Sequence, residues 1–138
     1  VRGVMAELIE LEVATPERQL VREGVESVMV PGKNGYLGIL PGHAPLVSEL
    51  GTGFLTYSAG GRKRYVSISG GFLEVLPDHV RVLADVAERA EEIDLERARA
   101  DLKRAQEQIM NPALGVDPAV ATLAEQQALA RIAAAERK

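Results

Sequence analysis

The fold is decided by residues 54–69, whose sequence is FLTYSAGGRKRYVSIS. Residues 54–58 and 64–69 are rich in aromatic and β-branched side chains, and Ala59-Gly60-Gly61-Arg62 separates them. Two such runs on either side of a short turn that contains glycine predict a β-hairpin. This hairpin sets the organisation that we expect for the first two thirds of the chain.

The sequence on both sides of this hairpin repeats the pattern of short strands and turns. Residues 72–76 and 79–84 flank Pro77-Asp78 and predict a second hairpin. Nearer the start, apolar residues 9, 11 and 13 alternate with glutamates, which is the two-residue period of a half-buried strand. We expect this strand to begin at Met5, with residues 1–4 as an upstream extension. Many short strands at this spacing indicate an antiparallel β-sandwich or flattened barrel.

The composition changes sharply near Glu88. Twelve of the 13 glycines precede Phe72, and the last third of the chain contains one, Gly115. Apolar residues there recur at steps of three and four, the period of an amphipathic helix. They are Leu95, Ala98, Leu102, Ala105 and Ile109. We therefore expect a β-sandwich domain over residues 1–88 and a helical domain over residues 89–138.

The helical region has signals for two helices. Asp94 is the expected N-cap of the first, and Pro112 ends it because the residue before a proline is disfavoured in the α region. Asp117-Pro118 suits the start of a second helix, and the short connection predicts an antiparallel hairpin. The apolar stripe of the second helix is mostly alanine, at positions 121, 124, 128 and 135 with Ile132. Alanine favours helix but gains little on burial, so weak docking is expected. A stably docked helical lid is the alternative.

Composition excludes several kinds of protein. The chain has no cysteine, so disulfides, zinc–thiolate sites and cysteine nucleophiles are absent, and two histidines make a histidine metal site or triad unexpected. A net charge of -4 and 4% aromatic residues argue against a nucleic-acid partner. No apolar run approaches the roughly 20 residues of a membrane span, and nothing resembles a secretory signal. We expect the chain to stay in the cytoplasm.

Residues 35–47, GYLGILPGHAPLV, are the most informative stretch for function. Its glycines and prolines predict a rigid, exposed loop that presents His43, whose imidazole could equally be solvated or locally hydrogen-bonded. The stretch resembles the LGILPGHAPL-type signature of F-type ATP synthase epsilon subunits. Residues 69–75, SGGFLEV, are similar to a second signature, and residues 87–94, AERAEEID, to the junction with the family's helical region. The resemblance extends from Glu7 to the C-terminus.

The resemblance implies a sandwich followed by a helical hairpin, in a non-catalytic rotor-stalk subunit with no required cofactor and no metal. It implies that the sandwich binds the gamma subunit and sits on the membrane-embedded c-ring, at the cytoplasmic face of the bacterial membrane. Membrane contact would run only through the c-ring, at the loop of His43 and at Tyr36, a position that is often acidic in the family. The hairpin would extend along gamma, meet the catalytic beta subunit and impede ATP hydrolysis.

Residues 93–98, IDLERA, resemble the I/L-D-x-x-R-A motif of epsilon subunits that bind ATP. Arg97 and Arg104 share one helix face, and their guanidinium groups suit phosphate oxygens. Arg131 would join them in a folded hairpin. The implied regulatory ATP site comprises Glu88, Ile93, Asp94, Arg97, Ala98, Arg104 and Arg131.

Three observations bear on this site. Gln127 stands where strong ATP binders of the family have another arginine. No P-loop occurs, so ATP would be sensed and not hydrolysed. An ordinary surface ion pair between Arg97 and Asp101, four residues apart, is the alternative account of the motif.

Two other classes of protein compete with this interpretation. One is a β-sandwich ligand-binding module with a helical interaction tail, which predicts a pocket lined by Phe54, Phe72 or the tyrosines. The other is an enzyme, but no pair of carboxylates has a distinctive spacing.

Overall fold

The computed structural model describes residues 7–138, which form an eight-stranded β-sandwich followed by two helices. The strands are β1 (Ile9–Ala14), β2 (Gln19–Val25), β3 (Ser27–Gly32), β4 (Gly35–Ile39), β5 (Leu46–Glu49), β6 (Thr52–Ala59), β7 (Arg62–Leu76) and β8 (His79–Arg89). Their order in the sheet is β2-β1-β8-β7-β6-β3-β4, and β5 pairs with β7. The predicted fold class is confirmed. The expected strand start at Met5 lies outside the described residues.

One long strand, β7, belongs to both predicted hairpins. Its first half pairs with β6 across the Gly60-Gly61 turn, its second half pairs with β5, and β8 pairs with both halves, from Val66 to Leu76. It bends at Gly70 and Gly71, which have φ of 70° and 115°. A Cβ atom at Gly71 would clash with the carbonyl oxygen of Leu83 on β8. Position 71 therefore requires glycine, for its backbone angle and for the close approach of β8.

The pairing of β1 with β8 is parallel, unlike the antiparallel hairpins that the sequence predicted. Glu10 faces His79 and Ala14 faces Leu83 in register. The apolar side chains of β1, at positions 9, 11 and 13, are fully buried as their alternation predicted. They pack into one core with valine, leucine and isoleucine side chains from both layers of the sandwich.

The first helix begins and ends where the sequence predicted, and the second begins at the predicted position. They are α1 (Leu95–Met110) and α2 (Pro118–Arg137). The Asp94 side chain accepts a hydrogen bond from the Arg97 amide at 3.1 Å, and the Asp117 side chain accepts one from the Ala119 amide at 2.8 Å. Short 3₁₀ turns, Ala90–Glu92 and Pro112–Leu114, precede α1 and follow it.

Helix α2 packs against α1 and also against β6 and β7 of the sandwich. It therefore buries two alanines outside the predicted stripe, Ala130 and Ala134, whereas Ala124 and Ile132 of that stripe are half-buried. The hairpin is folded and docked in this structure. Its contact with the sandwich consists mainly of small side chains, together with Ile93, Phe54 and Tyr65. Each buried alanine removes less apolar area from water than a leucine would, so apolar docking is weak for its length.

Candidate functional site

A cavity of about 570 Å³ lies between the helical hairpin and the sandwich. Strands β7 and β8 form its floor, and α1 and α2 form its walls. Its polar and charged lining consists of Ser67, Ser69, Glu88, Arg97, Asp101, Arg104, Gln108, Gln127 and Arg131. This lining has three guanidinium groups and two carboxylates, and thus one net positive charge.

The cavity brings together four of the five charged residues of the predicted ATP site, and these four come from three different elements. Glu88, Arg97, Arg104 and Arg131 all line it. The other three predicted residues lie outside the lining. Asp94 caps α1, Ala98 is fully buried, and Ile93 packs with alanines of α2. The part of the ATP site that was predicted from Ile93, Asp94 and Ala98 stays a prediction.

The Arg131 side chain connects three elements. Its Nε donates a hydrogen bond to Oε1 of Glu88 on β8 at 2.9 Å, and its Nη1 donates to Oδ2 of Asp101 on α1 at 3.3 Å. The three side chains are 25%, 28% and 30% exposed, so solvent screens these ion pairs only in part. The folded hairpin is thus held by charge as well as by apolar contact.

The other two arginines of the cavity differ in their contacts. Arg104 Nη1 donates to Oδ1 of Asp101 at 3.3 Å. Because Asp101 already contacts Arg104 and Arg131, the alternative surface pair between Arg97 and Asp101 does not form. Within residues 7–138, the exposed guanidinium group of Arg97 has no hydrogen-bond partner. It is therefore available to an anion in the cavity.

Gln127 contributes a neutral contact at the wall of the cavity. Its Nε2 donates to Oγ of Ser69 on β7 at 3.0 Å, and the same hydroxyl lies 3.0 Å from Oγ1 of Thr52. Sequence analysis gave no signal for this contact, since 58 residues separate the two partners.

Tyr36 and His43, the predicted c-ring contacts, both make contacts within the chain. The Tyr36 hydroxyl accepts a hydrogen bond from the Phe54 amide at 3.1 Å, and the two rings lie 6.1 Å apart. His43 Nδ1 donates to the carbonyl oxygen of Ala44 at 2.7 Å, as the locally bonded alternative expected. The loop of His43 is tied to the β7–β8 turn by Gly42, whose amide donates to the Pro77 carbonyl at 2.8 Å. Both residues keep part of their surface exposed.

The junction between the sandwich and α1 is fixed by Glu92. Arg18, in the β1–β2 turn, donates two hydrogen bonds to its carboxylate, at 2.7 and 3.0 Å. Arg89 adds a side-chain bond at 3.1 Å and a backbone bond at 3.2 Å. These donors, Arg18 first, lower the pKa of Glu92 to about 2. The turn that precedes α1 is therefore attached to the sandwich.

An exposed apolar patch covers three neighbouring strands of the sandwich. It consists of Val47 on β5, Phe72 on β7 and Leu83 on β8, which are 72%, 60% and 49% exposed. Phe72 and Leu83 are partners in the register of β7 and β8, and Val47 lies on the strand that pairs with β7 beyond the bend. Sequence analysis missed this patch because alternation alone does not show which apolar residues remain uncovered.

The competing ligand-binding class predicted a pocket lined by aromatic side chains. Among the described residues, no aromatic side chain lines the cavity of about 570 Å³, and the ring of Phe54 packs between Tyr36 and Tyr65. A smaller cavity of about 220 Å³ does include Tyr57 and Tyr65, but five charged side chains also line it. Residues 7–138 contain no cluster of side chains able to hold a metal ion. In that same range, neither helix is long and apolar enough to cross a membrane.

The chain thus has a two-part architecture, a β-sandwich joined to a docked helical hairpin with a charged cavity between them. The same two parts are found in a known family of proteins. Residues 8–90 match the family "ATP synthase, Delta/Epsilon chain, beta-sandwich domain", and residues 91–136 match "ATP synthase, Delta/Epsilon chain, long alpha-helix domain". The chain belongs to this delta/epsilon family of ATP synthase subunits.

Individual relatives support the same assignment. The ATP synthase epsilon chain of Solibacter usitatus (strain Ellin6076) is 65% identical over 134 residues, which cover 97% of this chain and 100% of that protein. The epsilon chain of Koribacter versatilis (strain Ellin345) is 50% identical over 76% of this chain and 74% of its own length. A chain in the cryo-EM structure of the Euglena gracilis mitochondrial ATP synthase (OSCP/F1/c-ring) superposes with a TM-score of 0.75 at 30% identity, covering 98% of this chain and 83% of that one. The resemblance stated from residues 35–47, 69–75 and 87–94 is confirmed.

Proposed function

We propose that this chain is a non-catalytic subunit of the rotor stalk in a bacterial F-type ATP synthase. Its sandwich would bind the gamma subunit and rest on the c-ring at the cytoplasmic face of the membrane. Its hairpin would regulate ATP hydrolysis by leaving the sandwich. The observation that carries this proposal is the docking of α2, which relies on alanines and a few polar contacts where a permanent core would use large apolar side chains.

The patch of Val47, Phe72 and Leu83 is the surface that we assign to gamma. Val47 and Phe72 are diagonal neighbours in the register of β5 and β7, and exposed apolar side chains grouped on one face of a folded domain mark contacts with other proteins. The patch lies on strands of the sandwich, so it would stay available whether the hairpin is docked or extended. A partner that must rotate together with this subunit needs such a permanent contact.

Replacing Phe72 by aspartate tests this assignment. We expect the variant to lose co-purification with gamma, because a charge at the centre of an apolar interface would be buried without a partner. Val120→Asp is the matched control, since Val120 is equally exposed but lies on the hairpin. Thermal melts of both variants must match that of the parent chain. Retained gamma binding by a folded Phe72→Asp chain contradicts the assignment.

Basic residues of α2 support the regulatory part of the proposal. In the docked state Arg131 is held by Glu88 and Asp101, while Arg137 lies over the Phe54 ring, 4.6 Å from its centroid. Extension of the hairpin would release both guanidinium groups. We propose that they then contact an acidic segment of the catalytic beta subunit, which would impede hydrolysis.

We further propose that the cavity binds ATP as a regulatory ligand. Its volume falls within the range of about 300–1,000 Å³ found for small-molecule sites. The unpaired Arg97 and the neighbouring Arg104 offer the forked donors that phosphate oxygens prefer. Because α1 and α2 both line the cavity, a ligand bound there would favour the docked hairpin.

Calorimetric titration of the full chain with ATP tests the ligand. Arg97→Ala should abolish measurable binding, because it removes the unpaired guanidinium group. Lys103→Ala removes one positive charge from the same helix outside the cavity lining, and should bind ATP as the parent chain does. Equal affinities in all three proteins would rule out this site.

A further inference from the structure

Asp101 occupies the position between two arginines that a phosphate group would need. One of its carboxylate oxygens accepts from Arg104 and the other from Arg131, each at 3.3 Å. A carboxylate and a phosphate offer similar oxygen acceptors to a guanidinium group, so the two compete for the same donors. Glu88 holds Arg131 from its other side at 2.9 Å, with the shorter bond.

We propose that Asp101 substitutes for phosphate when the cavity is empty, and that a polyphosphate ligand binds by displacing Asp101 from Arg104 and Arg131. We call the contacts of Arg131 with Glu88 and Asp101 the Arg131 latch. The latch holds the hairpin docked with no ligand present. The displacement step rests on the proposed binding of ATP, whereas the latch itself does not.

The geometry of the cavity indicates that the ligand displaces the carboxylate of Asp101 and not that of Glu88. Asp101 contacts two of the three arginines in the cavity, whereas in the described structure the carboxylate of Glu88 accepts a hydrogen bond from Arg131 alone. Moving Asp101 aside would free donors on both helices. Glu88 can stay in place and continue to orient the Arg131 guanidinium group, since it contacts Nε and leaves the Nη atoms to the ligand.

This arrangement gives Asp101 two opposing effects. It stabilises the docked hairpin, because it joins α1 to Arg131 of α2. It also opposes a polyphosphate, through charge repulsion and through competition for donors. Removing its charge should therefore weaken docking in the absence of ligand and strengthen phosphate binding. A residue with a purely structural role in the cavity would change both properties in the same direction.

The test compares Asp101→Asn with Glu107→Gln in the full chain. Both substitutions remove one negative charge from α1, but Glu107 is exposed and lies outside the cavity lining. Hydrogen exchange of the α2 amides is measured without ligand, and calorimetry is then performed with ATP and with inorganic tripolyphosphate. Asp101→Asn should exchange about fivefold faster and bind both probes about five- to tenfold more tightly. Glu107→Gln should do neither.

The exchange measurement and the calorimetry can each contradict one part of the proposal. Unchanged exchange in Asp101→Asn would overturn the claim that Asp101 helps to hold the hairpin docked. Tripolyphosphate and ATP affinities that are unchanged or lower in Asp101→Asn would overturn the displacement step. If neither probe binds the parent chain or the variant, the proposed ATP function fails together with displacement, while the exchange measurement still decides whether Asp101 helps to hold the hairpin docked.

Discussion

The side-chain amide of Gln127 donates a hydrogen bond to the hydroxyl of Ser69, 3.0 Å away, and so joins helix α2 to the bend of strand β7. This contact lies one helical turn from Arg131, whose ion pairs join the same helix to β8 and α1. Two polar side chains of α2 thus supply specific attachment where the apolar contact is mostly alanine. Gln127 makes a neutral bond at a position that faces the cavity.

Gln127→Arg should raise the affinity for ATP by about tenfold, because a charge-assisted bond to phosphate replaces a neutral bond to Ser69. Calorimetric titration measures this change. Gln126→Arg is the control, since Gln126 is exposed and does not line the cavity. An equal gain in ATP affinity in both variants would reflect overall charge. No gain in Gln127→Arg would show that phosphate does not reach the side of the cavity that α2 forms.

Glu92 makes the stability of the junction between the sandwich and α1 depend on pH. Its pKa is lowered from 4.5 to about 2 in the folded chain, chiefly by hydrogen bonds from Arg18. Because the pKa of Glu92 is lower in the folded chain than in the unfolded chain, its ionised carboxylate stabilises the fold at pH values above the unfolded pKa. This contribution is lost as the pH falls from about 4.5 towards 2. Glu92→Gln should reduce stability at neutral pH and flatten its decline over that range.

Thermal melts between pH 2 and pH 7 measure the effect of Glu92→Gln. Glu17→Gln, an exposed change in the same β1–β2 turn as Arg18, should keep the full decline. Part of the decline should remain in Glu92→Gln, because Arg81 also lowers the pKa of Glu12. Parallel curves for the parent chain and Glu92→Gln would mean that Arg18 and Arg89 do not hold Glu92 in solution.

Gly71 permits the bend in β7, and at this bend the partner of β7 on one edge changes from β6 to β5. Gly71→Ala should reduce the free energy of unfolding by about 3 kcal/mol or more, through strain at φ 115° and a clash with the Leu83 carbonyl. Gly60→Ala should reduce it by only about 1 kcal/mol, since φ is 59° there and the surrounding space is open. Denaturation in urea checks both values, and equal losses would contradict the requirement for close approach of β8.

Local chemistry accounts for what the sequence could predict. The Gly60-Gly61 turn, the caps at Asp94 and Asp117 and the alternation in β1 each depend on residues a few positions apart. The fold class and both helices therefore followed from the sequence. The family resemblance supplied the cluster of Glu88, Arg97, Arg104 and Arg131, which the folded hairpin brings together.

The rest depends on contacts between distant parts of the chain. The parallel pairing of β1 with β8 joins strands about 70 residues apart, as in Glu10 with His79. Arg131 and Glu88 are 43 residues apart, and their ion pair exists only once the hairpin docks. The burial of Ala130 and Ala134 shows that α2 packs on two sides, which a single apolar stripe could not indicate.

The regulatory role of the hairpin is the central claim, and removing the hairpin from the assembled ATP synthase tests it most directly. The truncation should delete residues 93–138, because Glu92 is attached to Arg18 and belongs with the sandwich. Since exposed ion pairs contribute only about 0–1 kcal/mol each, we expect ATP hydrolysis to rise modestly, by about two- to fivefold. Assembly and proton coupling should be retained. Hydrolysis that stays unchanged at every ATP concentration would contradict the account.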